Sequence, residues 1–485
     1  MHQSHHPDTT TDAPASAESG TARLSRRHLV AGAASLSVAA LAACTTDESS
    51  STTTPLGPYT VDTLAPTVAP PAAGAGGLQL FSDPALNFQI LFALGGAGLN
   101  AEVGEVVTAV NQANAAPGGA TFQSVYDAFI AMGNQVASWA DEAVRNGNRV
   151  TARSQLMRVA QYYNQALFFV LGTSTPNAEE AVFQKMDAAF TKAATLMDPP
   201  LEQVQIPYEG QTLPAWFVRA PGSGRRPTVI LNNGSDAQNV DLWAYGAQAA
   251  QERGYHSLIL TGPGQGELLF VRQEPFRPDW EQVITPVVDY LAERSDVDAS
   301  KIALTGWSFG GALVARAAAF EPRLAGVVAD PGIEDPFLEF PPIVQDSAEG
   351  DEQTVNTTWN DVIVKGSTPE QTFELKKRLE IWTREALQQV RAGQVPSDWY
   401  AISRRMQEFT VTDLLGRITV PFLVTRYDGD ALNPQAQQVL DGLGSTEKQL
   451  RTFTYGQGAQ LHDAPMAPQY RNEVVFDWLG THLGT

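Results

Sequence analysis

The sequence is poor in cysteine, in positive charge and in long apolar runs. Cys44 is the only cysteine in 485 residues, so no disulfide can form within the chain. Lysine and arginine number 32 against 53 aspartates and glutamates, and the net charge of −21 argues against nucleic acid or an anionic membrane surface as an electrostatic partner. The hydrophobic content of 43% is nevertheless typical of a globular protein with a sizeable core.

Residues 1–43 have the pattern of an export signal. Arg26 and Arg27 resemble a twin-arginine motif, and the apolar stretch Leu29–Ala43 that follows is too short for a comfortable transmembrane helix. The stretch ends in Leu-Ala-Ala directly before Cys44, which resembles the bacterial lipobox. We therefore expect an exported protein, lipid-anchored through Cys44 to the outer face of a bacterial cytoplasmic membrane, with no other membrane contact.

Two further segments precede the strands. Residues 44–77 are rich in Ser and Thr and then in Pro, Ala and Gly, which predicts a flexible linker. Residues 78–200 repeat apolar side chains at spacings of three and four, which predicts a helical N-terminal domain. We expect its aromatic residues to form the core between helices, with lining of a substrate pocket as the alternative: Tyr162, Tyr163, Phe168 and Phe169.

From residue 201 to residue 485 short apolar runs alternate with helical patterns. This alternation predicts a mostly parallel, doubly wound α/β sheet. A helical insertion over the site is expected at about residues 335–412, where Val362–Val364 is the one short strand-like run. The predicted strands are Glu202–Pro207, Ala215–Arg219, Thr228–Leu231, Ser257–Leu260, Ile302–Thr305, Gly326–Ala329, Phe422–Thr425 and Arg451–Thr454.

A nucleophile motif lies between one of these strands and a helix. Gly306-Trp307-Ser308-Phe309-Gly310 fits the pattern G-x-S-x-G and follows the predicted strand Ile302–Thr305 directly. In a nucleophile elbow the serine occupies a strained turn, and the flanking glycines prevent collisions with the strand and the helix. The context of strand, turn and helix indicates that Ser308 is a nucleophile and not an incidental serine in a glycine-rich turn.

A serine nucleophile needs a base, and the base needs an orienting acid. Beyond residue 43 the sequence offers only His256, His462 and His482, and only His462 lies after the last predicted strand and before the final helix. The acid is expected after the strand Phe422–Thr425, where both Asp428 and Asp430 are candidates. We prefer Asp430, because the loop then runs on to Pro434 and a helix, and Asp428 is the alternative. At least one of the two is expected to be a turn residue beside Gly429.

An oxyanion hole needs two backbone N–H groups. One is expected from Phe309, directly after the nucleophile, and the other from the loop that follows Thr228–Leu231, in the region of Gly234 and Ser235. The glycine-rich segment Thr261–Gly266 lacks the spacing of a phosphate-binding loop, so it is interpreted as a strand-to-loop turn. No metal or cofactor is expected for this chemistry.

Several segments between residues 150 and 480 resemble one branch of the α/β hydrolases, which includes the 2,6-dihydroxypseudooxynicotine hydrolases and fungal polyketide-shortening hydrolases. The segments are Tyr208–Pro214, Leu231–Ser235, Gly262–Gly266, Phe276–Trp280, Glu321–Leu324 and the loop of His462. The resemblance implies an α/β-hydrolase fold, an active site partly covered by the helical N-terminal domain, and a triad of Ser308, Asp430 and His462. Relatives commonly have Asp at the position of Thr261 and Cys at the position of Asp463.

The sequence therefore predicts a serine hydrolase that cleaves an ester or a similarly activated carbonyl of a small-molecule acyl substrate. Hydrolysis of a carbon–carbon bond beside a ketone is the alternative within enzymes, as the resemblance implies. A surface lipoprotein that uses the fold only for binding is the alternative outside them. The oligomeric state and the identity of the substrate stay open.

Overall fold

The computed structural model describes residues 78–430 and 435–484, and every structural statement below concerns those residues. The export signal, the linker and Cys44 lie outside them, so these predictions remain predictions from sequence. No helix within the described residues is long and apolar enough to cross a membrane.

The first part of the described chain is helical. Helix α3 begins at a capping box, in which the Thr121 hydroxyl accepts from the Ser124 N–H at 3.1 Å and the Ser124 hydroxyl accepts from the Thr121 N–H at 2.9 Å. It packs along α4, and the rings of Phe129 and Tyr162 lie 6.3 Å apart between the two helices. The five α-helices are α1 (Pro84–Gly95), α2 (Val103–Asn114), α3 (Phe122–Arg145), α4 (Arg149–Phe169) and α5 (Glu179–Thr195).

An eight-stranded sheet follows, in the order β1-β2-β4-β3-β5-β6-β7-β8. The pairs β1/β2 and β2/β4 are antiparallel, and every other pair is parallel. All eight predicted strands are present, so the predicted mostly parallel sheet is confirmed. The strands are β1 (Glu202–Tyr208), β2 (Gln211–Val218), β3 (Arg226–Asn232), β4 (His256–Leu260), β5 (Val297–Trp307), β6 (Gly326–Asp330), β7 (Phe422–Tyr427) and β8 (Lys448–Phe453).

Helices cover the sheet on both faces. Every residue of the central strands β4 and β6 is therefore buried, whichever face its side chain points to. A π-helical turn, Trp243–Ala247, joins the two short helices α6 and α7. The helices that accompany the sheet are α6 (Asn239–Leu242), α7 (Gln248–Glu252), α8 (Gly266–Phe270), α9 (Glu281–Glu293), α10 (Gly310–Ala318), α16 (Ala436–Gly442) and α17 (Pro468–Leu483).

The segment between β6 and β7 is helical throughout its ordered elements. The strand-like run at Val362–Val364 belongs to the π-helical turn Trp359–Val364, and the ring of Trp359 stacks on that of Trp399 with centroids 4.5 Å apart. We call this segment the cap. It contains a 3₁₀ turn, Pro336–Glu339, and the helices α11 (Pro342–Asp346), α12 (Glu352–Thr358), α13 (Pro369–Leu379), α14 (Arg384–Arg391) and α15 (Trp399–Gln407).

Candidate active site

Ser308 lies on a strained turn between β5 and α10. Its backbone has φ +53°, the left-handed region that side chains other than glycine rarely occupy. Its N–H donates to the Asp330 carbonyl at 2.8 Å, and this bond ties the turn to the end of β6. A Cβ at Gly306 would lie 2.2 Å from the Gly310 carbonyl oxygen, so the turn can close only because residue 306 is glycine. The local geometry is therefore that of a nucleophile elbow.

A histidine and an aspartate are hydrogen-bonded in series to this serine. His462 Nε2 lies 2.8 Å from Ser308 Oγ, and His462 Nδ1 lies 2.8 Å from Asp430 Oδ2. The side chain of His462 is 8% exposed and that of Asp430 is 0% exposed, so water is nearly excluded from both. The structure thus brings together the three side chains that the sequence suggested, with both bonds at normal hydrogen-bond length.

The parallel register explains why residues so distant in sequence meet. Tyr427 at the end of β7 pairs with Phe453 at the end of β8, so the two following loops leave the same edge of the sheet. Asp428 has another role, since its Oδ2 accepts from the Tyr455 N–H at 3.1 Å. The turn residue and the histidine partner are therefore different aspartates, and Asp430 is the one beside His462.

At the elbow and in the loop after β3, the backbone N–H groups of Phe309, Ser235, Asp236 and Ala237 have no hydrogen-bond acceptor among the described residues. The Gly234 N–H is already used, because it donates to Asn233 Oδ1 at 2.8 Å. Of the loop region suggested from sequence, Ser235 is thus the residue with an available donor.

Gly234 contributes by its lack of a side chain. A Cβ there would lie 2.5 Å from the Trp307 carbonyl oxygen and 2.8 Å from Ser308 Cβ, so only glycine lets the loop approach the elbow this closely. Gln265, in the turn Thr261–Gly266, holds the loop from below: its Nε2 donates to the carbonyls of Asn233 at 2.7 Å and Gly234 at 3.2 Å. This glycine-rich turn supports the loop beside Ser308.

Two carboxyl groups other than Asp430, those of Asp463 and Glu339, influence the histidine or its surroundings. Burial by itself lowers the pKa of His462, but the negative charges of Asp430 and Asp463 outweigh it and raise that pKa to about 10. Asp463 Oδ2 lies 3.7 Å from His462 Nε2, and burial raises the pKa of Asp463 to about 7. Burial also raises the pKa of Glu339 to about 8, and the buried Oε1 of Glu339 has no hydrogen-bond partner among the described residues.

A small cavity of about 50 Å³ opens beside Ser308 and His462. Its walls combine aromatic rings from α1, α4 and the elbow with a few polar side chains, a composition typical of small-molecule sites. The lining includes Phe88, Gln89, Phe92, Phe168, Trp307, Asn233, Asp236, Asp241, Arg378 and Asp463. Of the four aromatic residues singled out from sequence, Phe168 lines this cavity, whereas Tyr162, Tyr163 and Phe169 are buried in the core.

Some residues at the site escaped the sequence reasoning. Arg378 and Glu339 belong to the cap and reach the site only through packing of that insertion. Asp463 was noted only as a departure from relatives, although its position directly after His462 was a usable signal. Within the described residues no group of three histidine, cysteine, aspartate or glutamate side chains is arranged to hold a metal ion.

Comparison with known families and relatives agrees with this fold. A family described as "Esterase FrsA-like" matches residues 126–335, and the "Alpha/beta hydrolase family" matches residues 236–457. Hydrolase LUC6 of Fusarium sp is 31% identical over 430 residues, which cover 84% of this chain and 98% of that protein. The chain belongs to the α/β-hydrolase family.

Two further proteins similar to this chain have names that state a substrate. The 20-hydroxy-prefusarin hydrolase FUS2 of Gibberella moniliformis is 31% identical over 271 residues, covering 53% of this chain and 63% of that protein. The crystal structure of the 2,6-dihydroxy-pseudo-oxynicotine hydrolase superposes with a TM-score of 0.58 over 82% of this chain and 96% of that one, at 21% sequence identity. The second similarity concerns the fold alone.

Proposed function

We propose that this protein is a serine hydrolase with Ser308 as nucleophile, His462 as general base and Asp430 as the acid that orients His462. The observation that carries the proposal is the pair of 2.8 Å hydrogen bonds that link Ser308, His462 and Asp430 in series at the mouth of a cavity. Nucleophile, base and orienting acid in hydrogen-bond contact are the arrangement that activates a serine hydroxyl.

The reaction follows from these positions. Ser308 Oγ attacks the substrate carbonyl and passes its proton to His462 Nε2, while the N–H groups of Phe309 and Ser235 stabilise the oxyanion. Collapse of the tetrahedral intermediate breaks the bond to the leaving group, which takes the proton from His462 and departs. Water then attacks the acyl-enzyme, His462 accepts its proton, and return of that proton to Ser308 releases the carboxylic acid.

Labelling with a fluorophosphonate probe tests this proposal directly. Such probes phosphonylate an activated serine, so intact-mass and peptide analysis should find one adduct, on Ser308. Persistent lack of labelling in folded protein would overturn the proposal and favour a binding protein that has only kept the fold. The hydrogen-bonded triad and the free N–H groups argue against that alternative, since binding alone needs neither.

The substrate class proposed first is an ester with an aromatic or broadly apolar acyl group, because four aromatic rings line the cavity: Phe88, Phe92, Phe168 and Trp307. Hydrolysis of a carbon–carbon bond in a β-diketone is the second candidate. It is favoured by Glu339 of the cap, whose pKa burial raises to about 8, because a second group able to carry a proton then lies within electrostatic reach of His462. A panel of p-nitrophenyl esters and β-diketones assayed side by side distinguishes the two.

We further propose the cellular location that the N-terminal sequence suggests, an exported lipoprotein with Cys44 as its first mature residue. The proposal rests on residues 1–44 alone. Intact-mass measurement of protein extracted from membranes is the test. A diacylated chain that begins at Cys44 is expected, and an unmodified chain still carrying Met1 would contradict the proposal.

A further inference from the structure

The loop that carries the Ser235 N–H is held at two points by side chains from other parts of the chain. Gln265 binds the carbonyls of Asn233 and Gly234 before Ser235, as described above. After Ser235 comes Asp236, whose Oδ2 accepts from the Ser235 hydroxyl at 3.0 Å. The position of the Ser235 N–H therefore depends on what holds the Asp236 carboxylate.

Asp236 is held by the cap. Lys377 Nζ lies 3.2 Å from Asp236 Oδ1, and Arg378 Nη1 lies 3.4 Å from Asp236 Oδ2. The two cations differ in exposure: the side chain of Lys377 is 4% exposed, whereas that of Arg378 is 24% exposed and lines the cavity. Lys377 is thus a buried anchor with no surface for substrate, while Arg378 faces the cavity.

Lys377 also contacts a buried glutamate of the cap. Its Nζ donates to Glu380 Oε1 at 2.7 Å, and the Glu380 side chain is 0% exposed. Glu380 faces Glu179 of α5, whose Oε2 accepts from Arg391 Nε at 2.7 Å. Burial lowers the pKa of Lys377, but Glu380, Asp236 and Glu179 raise it above its ordinary value, so the ammonium stays charged.

We propose that Lys377 is a positioning residue for the oxyanion hole: by holding Asp236 between the cap and the loop, it fixes the N–H of Ser235 beside Ser308. The inference rests on the serine-hydrolase function proposed above. Lys377 acts through Asp236 and touches neither substrate nor reacting atoms. Among the described residues, loss of Lys377 leaves Arg378, at the longer distance, as the one cation in contact with the Asp236 carboxylate, so the cap holds the loop less firmly.

The test compares Lys377→Met with Lys376→Met in the full chain. Lys376 is the neighbouring residue on α13 and is also buried, but its Nζ donates to the Leu171 carbonyl and does not contact the loop. For each variant, kcat and KM on a p-nitrophenyl ester, the rate of Ser308 labelling by a fluorophosphonate and the melting temperature are measured. Labelling is informative because the phosphonylated transition state needs the same oxyanion donors.

We expect Lys377→Met to lower kcat and the labelling rate about thirtyfold with KM within about threefold, since complete removal of one oxyanion donor costs roughly 10²–10³ in kcat. Lys376→Met should leave both rates within about threefold of wild type, whatever its melting temperature.

Two further variants test the role of the charge. Lys377→Arg should recover most of the activity, because it keeps a cation in reach of Asp236. Glu380→Gln should keep both rates as well, since it leaves the contact between Lys377 and Asp236 intact.

Three results would overturn the inference. The first is a wild-type labelling rate in Lys377→Met, and the second is an equal loss in Lys376→Met. If Lys377→Met does not fold, Asp236→Asn decides: it should show the same loss in kcat with KM unchanged, and activity within about threefold of wild type is the third result. Failure to label the wild-type protein at all would instead overturn the serine-hydrolase proposal, and this inference with it.

Discussion

At the carboxyl edge of the sheet, Ser308, Asp430 and His462 each lie in a loop that directly follows a strand, whereas the facing wall of the cavity comes from helices in separate parts of the chain. The strands set the first group, because parallel register brings the ends of β5, β7 and β8 to one edge. No strand register positions the residues of the cavity wall. Phe92 of α1, Phe168 of α4 and Arg378 of the cap meet there only through tertiary packing.

This difference separates chemistry from selectivity. Substitutions at the edge are expected to abolish turnover of every substrate alike, while substitutions in the wall are expected to change which substrates are turned over. The predictions below test that division, beginning with the residue whose loss should matter most.

Ser308→Ala should abolish turnover while the protein stays folded, since it removes one hydroxyl from a turn whose backbone bonds remain. In a comparable triad, loss of the nucleophile costs about 10⁶ in kcat. Steady-state kinetics on a p-nitrophenyl ester and a thermal melt check the two parts of the prediction. Activity within about tenfold of wild type would contradict the assignment of the nucleophile.

Asp430→Asn should lower kcat by roughly 10³ or more, because the amide no longer holds the imidazole in the tautomer that accepts the serine proton. Asp428→Asn is the matched control, since Asp428 lies two residues away and bonds to the Tyr455 N–H instead of His462. Its effect on kcat should be far smaller. A larger loss of kcat in Asp428→Asn than in Asp430→Asn would show that Asp428, and not Asp430, is the acid that orients His462.

The residues at the sheet edge were predictable from sequence, whereas those that the cap contributes were not. The eight strands and the contact of Ser308 with His462 were predictable, because the elbow motif and the last strand are local patterns with few competing residues. Asp430 was preferred over Asp428 on loop position alone. Lys377 and Glu339 were not predictable, because no local pattern tells which side chains of the cap turn toward the sheet edge. The strand-like run Val362–Val364 was not among the predicted strands, and it belongs to a π-helical turn of the expected helical insertion.

Asp463→Asn should move the pH dependence of the reaction. The base must be neutral to accept a proton, so kcat/KM rises as the pH rises through the pKa of His462, which Asp430 and Asp463 hold well above its ordinary value. Removing the Asp463 charge lowers that pKa, so the rising limb should shift to lower pH by about one unit and increase the rate below the limb about tenfold.

The control for this shift is Asp428→Asn, which removes an equal charge from the other loop at this edge. Its pH profile of kcat/KM should coincide with that of the wild type. An unchanged profile in Asp463→Asn would show that Asp463, despite lying 3.7 Å from His462, does not set the protonation of the base. A shift to higher pH would contradict the sign of the argument.

Phe92→Leu should have the smallest effect, and it tests the wall itself. The Phe92 ring lines the cavity and lies 5.7 Å from the ring of Tyr245, so the shorter side chain removes one aromatic surface and leaves the triad untouched. Loss of about 1 kcal/mol of aromatic contact should lower kcat/KM about fivefold for an aryl ester. The comparison substrate is an ester with the same alcohol part but an acetyl group in place of the aromatic acyl group. Its acyl group is too small to reach the wall, so its kcat/KM should stay within about twofold of wild type, because the residues at the sheet edge alone decide its rate. Equal losses for the two substrates would mean that the wall and the edge are not separable, since a change in Phe92 would then have disturbed the geometry of Ser308 and His462.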